Sequence, residues 1–424
     1  MFEKLAQIWK AKDLRNKIIF VLLMLVVFRV GANIPMPGVN PEALKELFAS
    51  NQILGMMNLF SGGGMQNFSV VMMGVAPYIT SAIIFELLPM VIPQLEEMKK
   101  EEQGRQKITM WTRWLTVPLA AMQAFGMITL LRNQAPAVLG EVSAFDLFSM
   151  ILVITAGTIF LMWIGELITE KNIGNGISLL IFAGIVSRLP QAVQQTIVSY
   201  DPSQFFTLIS FAVIALLTIV GVVIINEGQR KIPVHHARQV RSGSNLGGGG
   251  AFLPLRVNMA GVIPIIFAIA VVTFPGMIAQ FLVQADSAWL VSAGNWIKEI
   301  FQNQLVYGVL YFLLVFAFTY FYTEVTFDSQ KIAENLQKQG AFIPGIRPGK
   351  NTVEYISYVT HRITFFGALF LGLIAILPLI MRYFTDMQSL AIGGASLLIV
   401  VTVTVETVKQ IESQLTMREY EGLD

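Results

Sequence analysis

Cysteine is absent from this 424-residue chain, which excludes disulfides, thiolate metal sites and lipidated cysteines. Histidine is scarce, and the spacing of His235, His236 and His361 suits no metal. Charge is scarce too, at 13% of residues against the roughly 25% usual in soluble domains. Glu86, Glu166, Glu324 and Glu406 stand toward the ends of apolar segments, so no carboxylate sits where a proton- or sodium-coupled carrier needs one. GIRPGKN at 345–351 lacks the spacing, and the hydroxyl after Lys350, of a phosphate loop; no ATP engine is visible.

What fills the chain instead is apolar sequence, with 54% hydrophobic residues and a mean hydropathy of +0.64. Seven uncharged runs, 114–131, 147–165, 202–226, 257–285, 300–323, 363–381 and 387–405, are each at least 18 residues long. A helix of that length crosses a hydrocarbon core of roughly 30 Å. Three interrupted runs join them: 18–36 around Arg29, 70–92 around Glu86 and 172–195 around Arg188. Ten spans are expected.

With the N-terminus inside, the cytoplasmic segments hold 22 Lys and Arg and the external loops 5, which supports both the count and an orientation with both termini in the cytoplasm. Residues 1–17 are a charged lead without a cleavage site, so the first span is expected to stay. The expected halves are 18–200, with spans one to five, and 201–409, with spans six to ten; 410–424 is a cytoplasmic tail. Five spans per half reverse the orientation of the second, which permits an inverted repeat. Basic cytoplasmic loops at 227–256 and 324–362 offer surfaces to an acidic partner, anionic lipid or RNA. RSGSNLGGGG at 241–250 is a coil without packing capacity, either a natural loop tip or an engineered replacement, and receives no function.

GMMNLFSGGGMQNF at 55–68 is too apolar for an exposed loop and too broken by glycine for a span. Irregular backbone at membrane depth survives only inside protein or along a cavity, so the pattern fits a short helix folded back into the interior; a helix lying on the membrane surface is the alternative. After it, Pro77 is expected to interrupt the second span. Val75 and Ile79, like Ile181 and Ile185, lie four apart on a helical face, which by itself means ordinary packing. Thr80, Gln123 and Asn258 are uncharged polar residues within spans, where such groups bond across helices, bond locally or face water.

FRVGANIPMPGVN (28–40), LFSGGGMQNFSV (59–70), GVAPYITSAII (74–84), GELITEKNIGNGISLLIFAGIV (165–186), LPLRVNMAGVIPIIFA (253–268), FIPGIRPGKNT (342–352) and GGASLLIVV (393–401) resemble, in order and over nearly the whole chain, the SecY family of bacterial protein-translocation channels. The resemblance implies an all-helical polytopic membrane protein whose ten helices form two inverted five-helix halves, closed as a clamshell around an hourglass pore. Aligned on it, Val75, Ile79, Ile181, Ile185, Ile266 and Ile399 would form the pore ring, and Thr80, Gln123 and Asn258 the polar cluster of a lateral gate between spans two and three and spans seven and eight. Residues 55–68 would be the plug, with Met56, Met57, Leu59 and Phe60 as seal and Gly62, Gly63 and Gly64 as joint. Arg230, Lys231, Arg347 and Lys350 would contact the SecA motor ATPase or the ribosome. The Gly-rich tip departs from the more basic loop end of the family. Implied partners are SecE, SecG, signal sequences and unfolded polypeptide, in the bacterial plasma membrane. Neither enzymatic activity nor a cofactor is implied. The rival readings are a secondary transporter of a small solute and a membrane scaffold without a conduit.

Overall fold

A computed structural model describes residues 8–40, 43–44, 61, 63–134, 138–139, 143–198, 202, 205–236, 251–283, 287–384 and 394–421. The chain enters α1 (Lys12–Ala32), α2 (Ala76–Val91), α3 (Pro93–Lys100), α4 (Glu102–Gln134), α5 (Ala144–Glu170), α6 (Gly176–Val186), α7 (Leu189–Val198) and α8 (Phe205–Glu227). Strands β1 (Gln229–His236) and β2 (Ala251–Arg256) precede α9 (Ile263–Leu282), α10 (Ala288–Gln302), α11 (Gln304–Thr326) and α12 (Ser329–Lys338). The chain then runs through β3 (Ala341–Phe342), α13 (Lys350–Phe384) and α14 (Gly394–Glu421).

Each of the ten apolar runs contains a helix. Among the described residues five helices are long and apolar enough to cross a membrane, and the bent pair α2–α3 makes up to six; α6 and the start of α9 are shorter apolar helices. Local chemistry sets several ends. Ser143 caps α5 by accepting from the Asp146 N–H at 3.2 Å, and Asp146 returns a bond to the Ser143 N–H. Asn175 caps α6 by accepting from the Ser178 N–H. Between α2 and α3 the axis turns by 109° at Ile92, which is extended, as a residue before proline prefers, and Pro93 then opens the charged α3.

Two departures from the sequence expectation concern the second span. Its helix starts at Ala76 rather than near residue 70, because 70–75 is a buried series of turns in which Gly74 adopts φ +57°. Pro77 does not interrupt that helix; it stands in the first turn, where a missing N–H leaves no bond unmade.

The residues divide into two compact units. The first comprises Met1–Asp201, Ala270–Asn303 and Val403–Asp424. In it α2 packs on α4, α4 on α5 and α5 on α6. Its core gathers Met65, Phe68, Met72 and Met73 of the turn segment with Met127, Ile128 and Leu131 of α4 and Ile154 of α5. The second unit comprises Pro202–Ile269 and Gln304–Thr402, with α11 packed on α13. It also holds a three-stranded antiparallel sheet in the order β2-β1-β3.

Candidate functional site

The turn segment that leads into α2 is fixed by backbone bonds to the stretch that follows α1. The Met36 N–H donates to Phe68 O at 2.9 Å, the Val70 N–H to Ile34 O at 3.1 Å, and Pro35 bridges Ser69. From the α6–α7 turn the Arg188 guanidinium donates to Gln66 Oε1 at 2.6 Å. Of the expected plug residues, Met56, Met57, Leu59, Phe60 and Gly62 lie outside the described residues. Gly63 and Gly64 fall in turns, and Gly64 is buried against Ser61, Ser69 and Val71.

Val75 is the residue preceding α2, and its carbonyl accepts the Ile79 N–H at 3.0 Å, which fixes both side chains on the first helical turn. Ile181 and Ile185 stand one turn apart on α6. Both pairs belong to the first unit; Ile266 on α9 and Ile399 on α14 belong to the second. All six are buried, with 5% or less of their surface exposed.

The polar span residues have different surroundings. The Thr80 hydroxyl donates to Ala76 O at 3.0 Å in its own helix, and Gln123 is half-buried on α4. Asn258 is buried at the centre of a network in the second unit. Its amide donates to Asn226 Oδ1 at 2.7 Å and to Gly261 O at 3.2 Å, and its Oδ1 accepts the Gly261 N–H at 3.0 Å. Asn226 in turn donates to Thr402 Oγ1 at 3.0 Å. Sequence reasoning missed Asn226 and Thr402; an amide closing the apolar run of α8 was the available signal for the former. Asn258→Leu would strand the Asn226 carbonyl oxygen and is expected to lower stability by about 1–3 kcal/mol. Thermal unfolding in detergent checks this.

Two carboxylates near span ends are paired. Lys99 Nζ is 2.6 Å from Glu86 Oε1, and Arg113 Nε is 2.6 Å from Glu166 Oε1. Glu324 Oε1 lies 3.3 Å from His361 Nε2. No group of acidic and histidine side chains able to hold a metal occurs among the described residues.

The basic loops, separated in sequence by the whole of 257–323, form one structure. Strand β1 pairs with β2 in the register Arg230↔Leu255 and Lys231↔Pro254, and with β3 through His235↔Phe342 and His236↔Ala341. Alternation turns Ile232 and Val234 inward. Ile232 joins Leu255, Ala333, Ile343 and Ile356 in a small core beneath the sheet. Arg230, Lys231, Arg347 and Lys350 all remain exposed on this body.

A family model described as SecY matches residues 69–408. The chain is 44% identical to the protein translocase subunit SecY of Halalkalibacterium halodurans, over 100% of this chain and 99% of that protein. It is 43% identical to the Mycobacterium bovis subunit over 97% of each. A solved structure described as a protein conducting channel superposes with a TM-score of 0.66 at 17% identity, covering 94% of this chain and 91% of that one. Sec61 in a canine ribosome–channel complex gives 0.64 with the same identity and coverage. Helical architecture, buried aliphatic positions and full-length similarity converge: the chain belongs to the SecY family of protein-translocation channel subunits.

Proposed function

We propose that Val75, Ile79, Ile181, Ile185, Ile266 and Ile399 form the constriction through which this translocation channel passes unfolded polypeptide. The observation that carries the reading is their burial: none exceeds 5% exposure, whereas Leu216 and Leu217 of α8 are 62% and 64% exposed. Aliphatic side chains suit the task because a dewetted collar resists water and ions yet binds no passing side chain strongly. Photo-crosslinkers at Ile79 and Ile185 are expected to capture a stalled secretory precursor. Capture of lipid alone at both positions would overturn the assignment.

Residues 55–68 act as the plug that seals this collar at rest. Deleting them is expected to raise resting ion conductance of reconstituted channels by about tenfold, since an open aqueous thread replaces an apolar seal. Planar-bilayer recording reads this directly, and a silent channel would reject the role.

Thr80, Gln123 and Asn258 belong to a lateral gate through which hydrophobic segments leave for lipid, gaining about 25 cal/mol per Å² of apolar surface. Arg230, Lys231, Arg347 and Lys350 receive the SecA motor or the ribosome; their exposure on one sheet-based body supports this. SecE and SecG are the expected membrane subunits. The chain works in the bacterial plasma membrane with both termini in the cytoplasm, and energy comes from its partner or from translation, without catalysis by the chain itself.

A further inference from the structure

Helix α10 (Ala288–Gln302) lies between two of the apolar runs, sharing only 300–302 with the second, and at 15 residues it is too short to cross a membrane. Its surface divides into three arcs. One packs inward: Gly294 is buried, and a Cβ there would meet Leu282 and Val283 at 2.9 Å, which seats α10 against the end of α9. Half-buried Leu290 and Ile297 lie on the same side. The second arc is polar and exposed, with Ser292, Asn295, Lys298 and Glu299. At the rim between them stand Trp289 and Trp296, 70% and 65% exposed. Seven residues make nearly two turns, so the two indoles point the same way.

The position of this helix along the chain identifies what covers the indoles. Asn303 alone separates α10 from α11, whose candidate span opens at Gln304. Leu305 is already 75% exposed, and Val309 and Leu313 continue that apolar outer face. The end of α10 therefore sits where hydrocarbon begins. An amphipathic helix at that level, with tryptophans on the border between its apolar and polar arcs, has the make-up of an interfacial helix.

We propose that α10 is a lipid-interface anchor, with Trp289 and Trp296 seated among the headgroups and first acyl carbons of the leaflet at which α11 begins. It fixes the depth of the connection between α9 and α11.

The full chain, purified with its membrane subunits and returned to vesicles of phosphatidylcholine and phosphatidylglycerol, gives the test. A variant keeping Trp296 alone, with the other five tryptophans changed to Phe, reports depth by fluorescence. Lipids brominated near the carbonyl end of the chain are expected to quench it about twofold more than lipids brominated near mid-chain, with aqueous iodide ineffective. Quenching by iodide without lipid quenching would show a water-facing helix, and quenching by neither would show a face covered by protein; both overturn the proposal. If that variant does not fold, the cysteine-free chain allows single spin labels through Trp296→Cys and Asn295→Cys with the remaining tryptophans kept. Oxygen should relax the label at 296 more than a nickel chelate does, and the order should reverse at 295. Equal accessibility at both positions would overturn the anchor.

Discussion

Ile266→Asn, and separately Ile399→Asn, is expected to let precursors with defective signal sequences cross at about tenfold the rate of the parent channel, while normal precursors are little affected. Both side chains are almost wholly buried, so the new amide stands in an apolar surrounding. Leaving it without a partner costs the closed state about 1–3 kcal/mol, and 1.4 kcal/mol already shifts an equilibrium tenfold. Water admitted by opening satisfies the amide, so the closed state loses its advantage and a weak signal suffices to open the channel. Export of a signal-defective precursor in membrane vesicles reads the effect. An unchanged rate for both variants would remove these residues from the seal.

Gly176→Val and Gly157→Val are expected to be more damaging still, with loss of about 3 kcal/mol or more and little folded protein recovered from membranes. A Cβ on Gly176 would fall on the carbonyl oxygen of Gly165, and one on Gly157 on the carbonyl oxygen of Val70. Neither obstacle is a side-chain end that can swing aside. Close approach of α6 to α5, and of α5 to the turn segment, depends on the missing methyl group. Gly308→Ala supplies the contrast, because its Cβ meets only the end of Leu379 at 3.3 Å. There the cost is expected to stay below about 1 kcal/mol, offset by the helix preference of alanine. Thermal unfolding of the three variants in one detergent ranks them, and equal stability would refute the packing account.

The helices were readable in the sequence because membrane solvation writes itself as length: a run such as 147–165 has few alternatives to α5. Charge marked where they end. Shape between runs was harder. Residues 70–75 are as apolar as any helix, yet the fold spends them on turns: the Val70 N–H bonds to Ile34 O, far back in the sequence, while the Met72 and Gly74 N–H groups close local turns onto Ser69 O and Val71 O. The sheet escaped notice for the same reason: β3 is two residues long and exists only because β1 accepts it. At the candidate site, spacing put Val75 with Ile79 and Ile181 with Ile185 on shared faces but carried no information on depth or burial, so only the family resemblance singled them out. The bond from Asn258 to Asn226 joins residues 32 apart, beyond what a periodic pattern encodes.

The β1–β3 ladder has a mechanical corollary. Tension applied at the turn bearing Arg347 reaches β1 through Phe342 and His235, crosses to β2, and arrives within two residues at Asn258, just ahead of α9. The sheet is thus a stiff crank, and a load gripping either of the two loops that it joins torques both and the root of α9 with them.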